Sequence, residues 1–225
     1  DLIKQGYIGE VLSTSVIGSA LFWGPQIDQG HAFIFDKKNG ITPLTISGAH
    51  RIDCVCYCLG EFKHVSATVA NRIPTATVMG TGEKIPKTAE DQIAITGVLE
   101  SGAVASIHYR GGAYRGTNLL WEINGTEGDL QLTDPAGHAQ LPDQQVLAGK
   151  GDDKGLKPLP IPKHYFTADP QAAPNVAFNV AQHYVRLAKD MKDGATFDDA
   201  VVRHRLLDAI EKSSATGTRQ TYAFR

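Results

Sequence analysis

Apolar positions recur every second residue along several stretches of this chain, and every third or fourth along others, so strands and helices can be told apart before any chemistry is considered. Ile8 to Ile17 is β-branched and roughly alternating, which predicts a strand. Just before it, Asp1 to Gly6 reads as the last turn of a helix with Gly6 as its C-cap. A polar and aromatic loop, Trp23 to Asn39, separates that strand from a helix opened by Thr42 and Pro43 and running to Leu59, where Gly60 ends it. His64 to Ile73 predicts a further strand. Asp91 to Leu99 and Ala103 to Arg110 predict a hairpin turned at Glu100-Ser101-Gly102. Asn118 to Asn124 and Asp129 to Thr133 predict another, turned at Gly125 to Gly128.

Asp134 to Pro174 is rich in Gly, Pro, Asp and Lys and reads as a long surface excursion with one edge strand near Val146. Two helices close the chain. Pro174 to Lys192 carries Val176, Val180, Tyr184, Leu187 and Met191 on one stripe; Phe197 to Ala215 has Thr196 as N-cap and Val201, Leu206, Ala209 and Ile210 facing inward. Successive hairpins followed by helices predict a single α+β domain over residues 1–225: a mostly antiparallel sheet with helices gathered on one side.

Composition narrows the class. A net charge of -2 with both signs interspersed leaves no footprint for nucleic acid or an anionic membrane. Apolar runs are broken well short of a bilayer span, and the start shows no signal-peptide pattern. A helix stub such as Asp1–Gly6 is not stable alone, which leads to the expectation that sequence preceding it has been removed or lost. Cys54, Cys56 and Cys58 lie too close together for a disulfide framework, so a reducing, cytoplasmic setting is expected. On a helix Cys56 points away from the other two, which excludes a shared metal ion; no metal site is expected.

Phosphate-binding and nucleophile motifs are missing. Gly80-Thr81-Gly82 and Gly111-Gly112 lack the third glycine and the following helix of a dinucleotide turn, and there is no nucleophile elbow or Walker loop. His108 shares a strand face with Val104, Ser106 and Arg110, which fits a surface or interface better than a ligand set.

Four segments in this order resemble the C-terminal domain of the Gfo/Idh/MocA oxidoreductase family: Gly6 to Val11; Gly40 to Asp53, with Gly48-Ala49-His50-Arg51-Ile52-Asp53 as its G-x-H-x-x-D; Trp121 to Leu130; and Phe197 to Gly217. The wording Leu44 to His50 is similar to the fungal, Gal80-like branch. The resemblance implies a substrate-side domain, a large open, mostly antiparallel sheet with helices on one face, beside a Rossmann domain that this chain lacks. NAD or NADP is therefore expected in the intact two-domain protein and none on this chain alone.

It also implies that His50 faces the substrate and moves a proton, work that suits imidazole near neutral pH. The plain alternative is a buried histidine bonded within the core. Dehydrogenases of the family usually place an aspartate one turn earlier, where this chain has Ile46. Asp53 could reach the same face, though a salt link is the more ordinary role. Trp23, His31, Tyr109, Arg110, Tyr114 and Arg115 would border the cleft and suit a sugar or polyol.

Three functions follow: an NAD(P)-dependent oxidoreductase of a sugar, polyol or related hydroxy compound; a non-catalytic Gal80-like regulator with a protein partner; or a stand-alone domain doing redox-free acid/base chemistry. In each, an open sheet face predicts a homo-oligomer.

Overall fold

Val16, Ile95, Ile107, Tyr109 and Ile123 are almost wholly inaccessible, while Ser15, Ile17, Thr96, Ser106 and His108, one position away on the same strands, face out. That alternation is the signature of strands with one covered face. A computed structural model describes residues 1–137, 144–169, 171, 176–191 and 194–224. The strands are β1 (Val11–Ser19), β2 (Gln26–Ile27), β3 (Phe62–Ala70), β4 (Thr75–Val78), β5 (Lys84–Pro86), β6 (Gln92–Leu99), β7 (Val104–Arg110), β8 (Leu119–Gly125), β9 (Gly128–Asp134), β10 (Gln145–Lys150) and β11 (Lys157–Pro158).

Eight of them form one sheet in the order β11-β10-β9-β8-β1-β7-β6-β3. Every neighbouring pair in it is antiparallel except β1 with β7. The helices are α1 (Ala49–Leu59), α2 (Val176–Lys189) and α3 (Phe197–Thr216). Ile52 and Val55 of α1, with Leu206 and Ile210 of α3, join the inward residues of the sheet in one apolar cluster. Each such side chain contributes about 1.5–3 kcal/mol by leaving water. The α+β architecture expected from the pattern is the one observed.

β3 is an edge strand, and α3 runs beside it. Ala67 N–H donates to Ser213 Oγ at 2.9 Å and Val69 N–H to Ser214 Oγ at 2.8 Å, so edge amides find partners on the helix. Ser213 is buried. Ser213→Ala is expected to strand the Ala67 amide and cost about 1–3 kcal/mol. Chemical denaturation measures the loss, and amide exchange should accelerate at Ala67; no change in either would mean the hydroxyl contributes nothing.

Thr196 caps α3 in a full capping box with Asp199, as its sequence predicts. Val201, expected inward, is instead 48% exposed, because α3 is fixed further along by Leu206, Leu207 and Ile210. The stripe of α2 is also turned outward: Val180, Tyr184 and Met191 are exposed, and the helix is held through Phe178, whose ring lies 6.0 Å from that of Phe166. Pro174 and Lys192, its expected ends, lie outside the described residues.

The strand expected to reach Ile73 stops at Ala70. There the Asp91 carboxylate accepts N–H bonds from Arg72 and Ile73 and draws the chain out of the sheet. Lys87 Nζ meets the same carboxylate at 2.9 Å, with both side chains fully buried. Beyond this point β4 pairs antiparallel with β5 and parallel with β2, a small second sheet that periodicity does not predict. The loop expected from Trp23 to Asn39 contains 3-10 turns, Gln29–Phe35 and Lys37–Asn39. Among the described residues no helix is long and apolar enough to cross a membrane.

Candidate functional site

Pro43 cannot donate a backbone hydrogen bond, and the turn it opens is wider than an α-helix: Gly48 N–H reaches back five residues to Pro43 O at 2.6 Å. This π-turn, Leu44–Gly48, runs straight into α1. Gly48 is required for it, since a Cβ there would lie 2.8 Å from the Pro43 carbonyl. The junction turns Ser47, Gly48, Arg51 and Ile52 inward and leaves Ile46 and His50 at the surface, one turn apart. His50 is thus not a core histidine.

Beneath the turn lies Tyr109, near the carboxyl ends of the parallel pair β1 and β7. Its phenol donates to Ser19 O at 3.0 Å, with Ser47 and the Arg51 guanidinium beside it. Burial pushes the Tyr109 hydroxyl up to about 12, so it stays protonated and acts as a donor. The ring is 2% exposed and lies over Gly18, whose missing side chain makes room for it. Tyr109 therefore fastens the end of β1 and offers no face to a ligand.

Trp23 is corrected in the same way. It too is 2% exposed, and its indole N–H donates to Ile34 O at 3.2 Å. Among the described residues it alone, glycines aside, has a positive φ, at 68°. That strained backbone tucks the ring inward where the chain leaves β1.

His31 is exposed, 2.7 Å from Asp28 Oδ2, and stacked on Phe22 with centroids 5.1 Å apart. The hydrogen bond from His31 holds the Asp28 carboxyl below its usual range. Arg110 follows Tyr109 on one strand, so the two leave it on opposite faces. The Arg110 guanidinium bonds Gly18 O and Thr117 O and covers the Tyr114 ring at 4.3 Å. Tyr114 is pinned through its backbone to Asn118, and Arg115 is exposed in the same loop. Asp53 accepts from Arg203 Nε at 3.0 Å. Arg203 also holds Glu61 and the Cys56 thiol, so Asp53 belongs to a link between α1 and α3.

The structure thus keeps His50, with Ile46 beside it, at the surface above the β1 and β7 ends, and His31, Tyr114 and Arg115 exposed on the loops that follow those strands. Trp23, Tyr109 and Asp53 have structural work, and Arg110 belongs by alternation to the other face.

Arg51 was not singled out by sequence. It is fully buried, and its Nε and Nη2 make no hydrogen bond. The clue available was its place on the inward helical stripe with Ser47 and Val55. A buried guanidinium without an anion is costly, so Arg51→Met is expected to raise stability by about 1–4 kcal/mol. A lower thermal midpoint in that variant would show that the charge is used.

Neither glycine pair makes a phosphate cradle. Gly80 and Gly82 sit in the turn between β4 and β5, and Gly112 packs on Gly24. Among the described residues neither pair is followed by the helix that a dinucleotide turn opens. Among the described residues no cluster of His, Cys, Asp or Glu could hold a metal ion.

The family model described as Gal80p, C-terminal domain matches residues 1–134. The galactose/lactose metabolism regulatory protein GAL80 of Saccharomyces cerevisiae is 26% identical over 97% of this chain and 60% of its own length. A solved super-repressor mutant of that organism's Gal80p superposes with a TM-score of 0.83 at 24% identity, over 98% of this chain and 60% of the other. The dehydrogenase aclE of Aspergillus oryzae is 25% identical over 100% of this chain and 60% of its own length. A levoglucosan dehydrogenase solved with NADH and levoglucosan superposes with a TM-score of 0.76 at 20% identity, over 100% of this chain and 62% of the other. The structural likenesses show the fold, and the chain spans about 60% of the length of these relatives. With more than half of its residues matched, the chain belongs to the Gal80p C-terminal-domain-like family, and it corresponds to the C-terminal part of proteins related to the Gfo/Idh/MocA oxidoreductases.

Proposed function

We propose that this chain is the substrate-side domain of an NAD(P)-dependent oxidoreductase acting on a sugar, polyol or related hydroxy compound. The observation that supports it is the accessible His50 imidazole on the first turn of α1, above the carboxyl ends of the parallel strands. In open α/β sheets ligands bind at the carboxyl ends of parallel strands, and β1 with β7 is the parallel pair of this sheet. A nicotinamide held by a separate nucleotide-binding domain would take the hydride. This chain's part is to bind the hydroxy compound and to accept its hydroxyl proton on His50. His31 and Arg115 are the exposed groups suited to polyol hydroxyls.

The test is reduction of NAD or NADP by a panel of sugars and polyols, using a protein in which this domain is joined to its nucleotide-binding partner. Turnover on at least one of them supports the reading; none, with both cofactors bound, removes it. Ile46 favours a second reading, a Gal80-like regulator with a protein partner, because it puts an exposed apolar side chain where family dehydrogenases carry an aspartate. Redox-inert protein with a captured partner protein is the outcome that reading requires.

Under either reading we propose that a second copy covers the open sheet face. Ile17 and Val104 are exposed there at 39% and 57% amid Ser15, Ala94, Thr96 and Ser106, a flat surface of small residues with an apolar centre.

A further inference from the structure

We propose that association of two copies through the open sheet face is governed by pH through His108, whose protonation in the middle of that face weakens the pair. The inference rests on the reading that a second copy covers this face. His108 lies on β7, in register with Ile17 on β1 and Ala94 on β6. It therefore stands in the central row, where a pairing surface loses its water first.

The neighbourhood suits a neutral ring. His108 Nε2 is 3.3 Å from Gln92 Oε1, and Gln92 Nε2 donates to Asp91 Oδ1 at 3.4 Å, which fixes the amide with its oxygen toward the histidine. Nε2 is then the donor of a neutral imidazole. Among the described residues no carboxylate bonds the ring. On its own strand the neighbouring charge is Arg110, of the same sign as a protonated histidine. β6 offers Gln92 and Ala94, and the Asp91 charge behind Gln92 is matched by Lys87 at 2.9 Å. β1 offers Ile17 and Ser19. Glu122 on β8 lies one strand further on, opposite Ser15, and already accepts Gln131. At the far edge His64 of β3 is opposite Val98.

Burial, and then the Arg110 charge, hold His108 below its usual range within one copy. A second copy over the face strips more water from the ring and lowers that value further. A group whose pKa falls on association favours association above that pKa and opposes it below. Pairing is thus strongest in mildly alkaline solution and fails as pH drops through the titration of the separate copies. A two-fold pair buries two such histidines. Each unit of lowering weakens the pair about tenfold per histidine, or about a hundredfold for both.

Sedimentation equilibrium of the whole chain at about pH 8 and about pH 5.5 tests this. The expected result is a dimer at the higher pH whose dissociation constant rises at least about tenfold at the lower. His108→Gln should remove most of the rise, and His108→Lys, a permanent cation, should separate the copies even at the higher pH. A single copy at the higher pH overturns the pairing itself. A dimer with no weakening on acidification, an equal weakening in the glutamine variant, or a lysine variant that still pairs overturns the role of His108 and leaves the pairing intact.

Discussion

Asp91→Ala is expected to lower the free energy of unfolding by about 3–5 kcal/mol, the cost of leaving a buried charge without its counterion. Both Asp91 and Lys87 are fully buried, with Nζ and Oδ2 2.9 Å apart. The carboxylate does more than neutralise. It also accepts the backbone amides of Arg72 and Ile73, so its removal orphans those donors together with the ammonium group. Lys87→Met is expected to cost less, because Asp91 would keep the two amides and Gln92 around its charge. Urea unfolding at constant slope measures both variants. The account fails if the alanine variant loses under about 1 kcal/mol or if the methionine variant is the worse of the two.

His50→Ala is expected to lower kcat by about 10²–10⁴ with a smaller effect on KM, the range usual for losing a positioned acid/base group. The substitution lies at the surface of the first turn of α1, so the fold should tolerate it, and an unchanged thermal midpoint would separate catalysis from stability. Ile46→Asp is the companion variant. It returns a carboxylate one turn from the imidazole, where it could orient the ring, and is expected to raise kcat in an active protein. If His50→Ala turns over like its parent, His50 has no part in the proton transfer and the regulatory reading gains.

The antiparallel ladder could be read because its strands alternate cleanly over a hairpin with a glycine turn: Asp91 to Leu99 and Ala103 to Arg110 match β6 and β7 within a residue. Parity along β7 also contained the separation of Tyr109 from Arg110, and of His108 from the core. Burial of loop aromatics was not legible. Trp23 looks like an exposed recognition residue until its positive φ and the distant Ile34 carbonyl are known. The Lys87–Asp91 pair has helical spacing outside any helix, and only the tertiary fold removes it from water. β2, β4 and β5 are too short for periodicity to register. Helical spacing gave the stripe of α2 correctly but could not say what it packs on; the stripe points outward.

The two flanks of the large sheet have a further consequence. On one side the serines of α3 occupy the amides of β3, and on the other β11 is a two-residue strand ending in Pro158. Among the described residues neither border offers a long run of vacant donors and acceptors to an incoming strand, so copies of this domain are guarded against stacking side by side into fibres. Whatever meets this sheet must come at it broadside, which permits a finite assembly and discourages an endless one.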